Sequence, residues 1–159
     1  MGKTSAGILL YRYQDQLQVL LVHPGGPFWA GKEAGAWSVP KGEAESGDDL
    51  LAVALREFEE ETGMQPAADM NTLLSLGPVK QKGGKLVHVW ALQGDLDTTL
   101  IRSNTFEMEW PPRSGKTRSF PEVDKAAWHS IPEARQKILA GQLPLIDRLV
   151  AALPDAPLQ

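Results

Sequence analysis

Four glutamates stand within the eight residues REFEEETG, from Arg56 to Gly63. At about 100° per residue, a helix brings Glu57, Glu60 and Glu61 onto one face and turns Glu59 away. Leu51, Leu55, Phe58 and Thr62 form a separate stripe about 130° from Glu57, which is expected to pack against a core. Like charges one helical turn apart repel, and only Arg56 flanks the acidic face. Two readings follow: a solvated acidic surface, or a site for a hard divalent cation. Mg²⁺ takes oxygen ligands, keeps several waters, and shares itself between a few carboxylates and substrate phosphates. A zinc-type set is absent, since His23, His88 and His129 are scattered along the chain; they are read as structural.

Further residues able to do chemistry lie outside this octet. In TFEMEW the strand alternation puts Phe106, Met108 and Trp110 on one face and Glu107 and Glu109 on the other. Glu122 stands in FPEVDKAAW, ahead of Trp128, which is expected in the core. Lys41 precedes Gly42 directly. Two basic clusters, Lys80, Lys82 and Lys85 in KQKGGK and Arg113, Lys116 and Arg118 in PPRSGKTR, are either solvated loops or reach a phosphate. Phe28 and Trp29 can stack on a nucleobase or anchor their own loop.

The segment GEAESGDDLLAVALREFEEETGM, starting at Gly42, closely resembles the Nudix box. That box runs Gly, five residues, Glu, seven residues, Arg-Glu, an apolar residue, any residue, Glu-Glu, any residue, Gly and a last apolar residue. Gly42, Arg56, Glu57, Phe58, Glu60, Glu61, Gly63 and Met64 fall on its positions, and Asp48 stands where the first glutamate is usual. The resemblance implies a metal-dependent hydrolase of a diphosphate linkage in a nucleoside diphosphate joined to another moiety. It implies Mg²⁺ or Mn²⁺ held by Glu57, Glu60 and Glu61, with the Gly42 carbonyl as an extra ligand and Arg56 orienting a box carboxylate. Asp48 either supports that ion-pair network or caps the helix.

The general base varies within such a family. Here Glu107, Glu109 and Glu122 are its candidates beside the box glutamates, with Glu109 and Glu122 carried forward as catalytic together with Glu57, Glu60 and Arg56. The run Pro-Lys-Gly ahead of the box is similar to the diadenosine tetraphosphate hydrolase branch, and it implies substrate-phosphate contact by Lys41. Arg113 and Trp29 are the other expected substrate-binding residues. Dinucleoside polyphosphates lead the expected substrates; nucleoside triphosphates, nucleotide sugars, the 5′ end of RNA, and a nucleotide sensor without turnover are the alternatives. A homodimer would be ordinary for this family.

These residues must be positioned by a small number of elements. A β-hairpin is expected from about Ala6 to His23 around QDQ, then a long Gly/Pro-rich loop from Pro24 to Trp37. A short strand and turn lead to the box helix, capped by Asp48 or Asp49 and stopped at Gly63. A strand and a hairpin turning at Lys82–Lys85 follow, then a short strand with a Pro/Gly/basic loop. One or two terminal helices are broken near Gly141 and Pro144. Hairpins with one central and one C-terminal helix read as α+β, an α/β/α sandwich with a mixed β-sheet, as in the Nudix fold.

With 159 residues, 42% hydrophobic and 23% charged, the chain is expected to form one domain spanning 1–159. Its net charge of −4 provides no basic background for nucleic acid, which is not an expected partner. The absence of cysteine excludes disulfides, thiolate metal sites and cysteine nucleophiles. No apolar run is long enough to span a membrane, and MGKTSA matches a myristoylation start without a second anchor. A cytoplasmic location is expected.

Overall fold

The computed structural model describes residues 3–153; Gly2, the acceptor of the N-terminal lipidation pattern, lies outside them. The two apolar runs at the start form β1 (Thr4–Gln14) and β2 (Gln16–Pro24), paired antiparallel about Asp15 in a left-handed turn conformation. Next come β3 (Lys41–Glu43), α1 (Leu50–Thr62), β4 (Ala67–Lys80) and β5 (Leu86–Asp95). They are followed by β6 (Thr105–Glu109), β7 (Thr117–Pro121), β8 (Val123–Ser130), α2 (Ile131–Lys137) and α3 (Leu143–Ala152).

The sheet is mixed, in the order β4-β5-β1-β2-β8, with β3 beside the first half of β1. Strands β1 and β5 run parallel and their neighbours antiparallel. Both faces of β1 and β2 are apolar because both are covered, as a sheet between two helical layers requires. Ile8, Leu10, Leu20 and Val22 meet α1 through Val53, Ala54 and Phe58. Leu9, Leu17, Val19 and Leu21 meet α2 and α3 through Ala134, Ile138, Leu145, Ile146 and Leu149. This is the α/β/α sandwich expected.

One local expectation needs correcting and two are narrowed. The buried face of α1 centres on Val53, Ala54, Phe58 and Thr62, and Leu51 and Leu55 lie at its edge, because the helix rolls its acidic turn toward β3. Asp49, not Asp48, is the N-cap and accepts the Leu51 N–H; Asp48 accepts the Glu45 N–H at 2.8 Å within the preceding turn. The terminal helices break at residues 138–142, while Pro144 sits inside the first turn of α3, where a missing N–H costs nothing.

The hairpin β6–β7 stands apart from the main sheet. Its inner face carries Phe106, Met108 and Phe120, half-buried, and the Phe106 ring lies over Gly26. Phe28 meets Trp110 edge-on at 5.7 Å. The long loop and this hairpin therefore form one lobe at the end of β2 and β8.

Candidate functional site

Glycine at position 42 is explained by Glu57. A Cβ there would run into the Glu57 carboxylate, so only a bare backbone lets that side chain lie against β3. Arg56 Nη2 stands 3.5 Å from Glu57 Oε2, and its Nε is 3.9 Å from Glu60 Oε1. Burial pushes the Glu57 carboxyl up, the neighbouring Glu60 carboxyl adds to this, and Arg56 opposes both. The Glu60 carbonyl accepts the Asn104 N–H at 2.9 Å, and the Thr62 carbonyl accepts that of Arg102 at 2.8 Å. Gly63 closes the helix at φ 80°, and a side chain there would strike the Arg102 carbonyl.

Glu61 stands one turn further along α1. It accepts the Lys41 backbone N–H at 3.3 Å. Burial pushes its carboxyl up to about 8; the Lys41 charge opposes this, while Glu57 and Glu122 reinforce it. Lys41 is held below the usual lysine range, chiefly by burial, with Glu61 pulling the other way and Lys85 adding repulsion. Lys41, Glu61 and Glu122 line one cavity of about 220 Å³ with Trp29, Ser38 and an apolar wall that includes Val22, Val39 and Leu139. Thus a cation, two carboxylates and an aromatic ring from four separate segments meet at one opening.

The other expected residues lie elsewhere. Glu109 ends β6 and accepts the N–H groups of Arg113 at 3.1 Å and Gly115 at 3.0 Å, closing the hairpin turn. Glu107 is on the same exposed face, as the alternation implied. Arg113 occupies that turn with φ 62°, and Lys116 and Arg118 are exposed beyond it. None of these lines the cavity holding Lys41. Trp128 is half-buried, donates to the Leu96 carbonyl at 3.1 Å, and carries Arg12 over its ring.

Two supporting residues were not singled out as functional in the sequence. Gln142 is fully buried, accepts the Val39 N–H at 3.0 Å and donates to Ser38 Oγ and Gln81 Oε1, which fixes the chain leading into Lys41. His23, read as structural, sits beneath the long loop between two acceptors. A polar residue in the break between two helices and a histidine near the end of a strand are the available signals, and neither names its partner.

Glu57, Glu60 and Glu61 supply hard oxygen donors on one stretch of helix beside a bare backbone, and this donor set suits Mg²⁺ or Mn²⁺. Among the described residues no three acidic or histidine side chains already converge on one point. Glu57 lies against Gly42 and Glu61 accepts the N–H of the adjacent Lys41, and the charge of Glu57 bears on Glu61. Carboxylates pushed up by burial and by one another are what an added cation would relieve.

A family model described as the NUDIX domain matches residues 1–149. A Caenorhabditis elegans Ap4A hydrolase, crystallised as a binary complex, has a similar structure: TM-score 0.60, 23% identity, 96% of this chain and 98% of that one. The NUDIX domain of Shewanella oneidensis NrtR, crystallised with ADP ribose, gives TM-score 0.65 and 20% identity over 96% and 89%. At these identities the likeness is one of fold. Among curated proteins, an octanoyltransferase of Myxococcus xanthus is 29% identical over 108 residues, 67% of this chain. The match covers 26% of that relative's length.

Proposed function

This chain belongs to the NUDIX domain family, and from that premise we propose that it cleaves a dinucleoside polyphosphate at a diphosphate linkage. Family membership carries the coarser statement, hydrolysis of nucleoside diphosphate derivatives. The observation supporting the finer one is the meeting of Lys41, Glu61, Glu122 and Trp29 around one cavity, with Glu57 near enough for its charge to bear on Lys41 and Glu61. Lys41 supplies the extra positive charge that a long polyphosphate requires. Trp29 offers a face on which a nucleobase stacks. Arg113 stands on the hairpin turn, outside that cavity, and is not assigned to the phosphate chain. The Ap4A hydrolase of similar fold is compatible with this reading.

Glu57, Glu60 and Glu61, with the Gly42 carbonyl, would hold the divalent ion, Mg²⁺ or Mn²⁺. When bound, it offsets phosphate charge and makes water a better nucleophile at neutral pH. Arg56 keeps Glu57 and Glu60 in orientation from their exposed side. Glu122, at the rim of the cavity, takes the proton from the attacking water. Lys41 and Trp29 align the substrate so that water and leaving group stand in line.

The test is hydrolysis of a panel of dinucleoside polyphosphates, nucleoside triphosphates, nucleotide sugars and 5′-triphosphate RNA with Mg²⁺ or Mn²⁺. ADP ribose belongs in the panel because a domain of this fold was crystallised with it. The expected outcome is preferred turnover of diadenosine tetraphosphate to ATP and AMP, lost in Glu60→Gln with folding retained. Equal turnover in wild type and Glu60→Gln would remove the metal role, and preference for another class would reassign the substrate.

A further inference from the structure

His23 is 1% exposed, yet both its ring nitrogens meet acceptors. Nδ1 lies 2.8 Å from Asp124 Oδ1, and Nε2 lies 2.6 Å from the Lys32 carbonyl oxygen. With each ring nitrogen within hydrogen-bond distance of an oxygen, the imidazole ties the Asp124 carboxyl group to the Lys32 backbone carbonyl.

The strand pairing shows how the aspartate reaches it. His23 pairs with Lys125 and Pro24 with Val123, so Asp124 is the extra residue of a β-bulge between them. A bulge bends its strand and re-aims a side chain. Here the side chain re-aimed stands two residues after Glu122.

The other end of the clamp holds the loop. The Lys32 N–H donates to the Trp29 carbonyl at 3.1 Å, and the Lys32 ammonium stands 5.6 Å from the Trp29 ring centroid. Further along, Glu33 pairs with Lys125 at 3.1 Å and Lys137 at 3.5 Å, and Gly35 N–H donates to the Gln136 carbonyl. The His23 ring packs edge-on against Trp37 at 5.3 Å. The charged groups around this clamp are therefore Asp124 and Lys125 on β8, Lys32 and Glu33 on the loop, and Lys137 on α2.

We propose that His23, held by Asp124, is a positioning residue that locks the loop 24–37 so that Trp29 stays at the wall of the cavity lined by Lys41, Glu61 and Glu122. It touches no reacting atom and acts through Trp29 on substrate binding. This deepens the reading of that cavity as the nucleotide site and rests on it.

Diadenosine tetraphosphate hydrolysis is measured for wild type, His23→Leu, Asp124→Ala, Asp124→Asn, Trp29→Ala and the double variant His23→Leu/Trp29→Ala. His23→Leu and Asp124→Ala raise KM about tenfold, with kcat nearly unchanged. Asp124→Asn stays near wild type, because its amide can donate to or accept from Nδ1 and so keeps the ring held at both nitrogens. The double variant is no worse than Trp29→Ala, since the two act as one unit. Losses that add in full, a fall in kcat at constant KM, or Asp124→Asn as damaging as Asp124→Ala would each overturn the proposal.

Hydrogen exchange supplies a readout independent of turnover. Amides of residues 25–36 exchange faster in Asp124→Ala than in wild type or Asp124→Asn, while those of β1 and α1 do not change. Unchanged loop exchange overturns the clamp even if His23→Leu fails to fold. Absence of nucleotide turnover in wild type removes the proposed function alone, because the exchange result still decides the clamp.

Discussion

Glu109 and Glu122 entered as equal candidates for the base and end in different settings. The Glu109 carboxylate is used up by two backbone N–H groups that hold the hairpin turn together. Glu122 lines the cavity, and its charge bears on Glu61 across the opening. Glu122→Gln is accordingly expected to lower kcat by about 10²–10⁴-fold with little change in KM. Glu109→Gln is expected to loosen the turn without a comparable loss. Steady-state kinetics of both variants decide the matter, and the reverse ranking transfers the role to Glu109. The alternation in TFEMEW was legible because a two-residue period is local. Which of the exposed carboxylates faces the substrate depends on where β7 delivers the chain.

At the level of elements, α1 shows how a helix can be stopped and started by its flanks. Its end at Gly63 was readable, because a left-handed residue after the last turn favours glycine whatever surrounds it. Its start was ambiguous between adjacent aspartates, and backbone geometry chose Asp49, extended at φ −75° and ψ 112°. Asp49→Ala should cost about 1 kcal/mol in urea denaturation, as expected for a lost N-cap. Asp48→Ala, which loses one hydrogen bond in an exposed turn, should remain within about 0.5 kcal/mol. Equal costs would mean that the two aspartates share the cap. The long loop 24–37 was recognisable by its composition, but its docking under the hairpin β6–β7 was not. Phe28 and Trp110 are more than eighty residues apart and meet only after β2 and β8 pair.

Taken as a whole, the molecule places a titratable group in its apolar layer. His129 is 3% exposed, packs edge-on against Trp37 at 4.8 Å, and its Nδ1 has no hydrogen-bond partner among the described residues. Burial lowers its proton affinity, Lys137 lowers it further, and Glu133 and Glu33 oppose this weakly. The unfolded chain therefore binds more protons here than the folded one. Stability from this group is complete above the ordinary histidine range, near pH 6.5, and is lost as pH falls through the lowered folded value. Thermal unfolding from pH 7.5 to 5.0 should show a decline of at most about 1.4 kcal/mol per pH unit attributable to it. His129→Phe, which keeps a ring against Trp37, should remove that part of the decline. An identical slope in both proteins would refute the assignment.

The sequence by itself determined the chemistry on offer and the local elements: the acidic helix face, the glycine stop, the hairpins and the α+β layering. Each depends on a period or a cap acting over a few residues, and such interactions keep their meaning in any surroundings. Tertiary structure alone decided which neighbour each carboxylate meets. Glu57 lies on Gly42 and Glu60 beside Arg56, while Glu61 turns to Lys41, because β3 pairs with β1 under the last turns of α1. It also chose Glu122 over Glu109 to line the cavity, joined Gln142 to the strand before Lys41, and set His23 between Asp124 and Lys32. Those contacts join residues far apart in the chain. Their partners are fixed by strand register, a bulge and the burial of polar groups that must find donors or acceptors, and no local pattern encodes them.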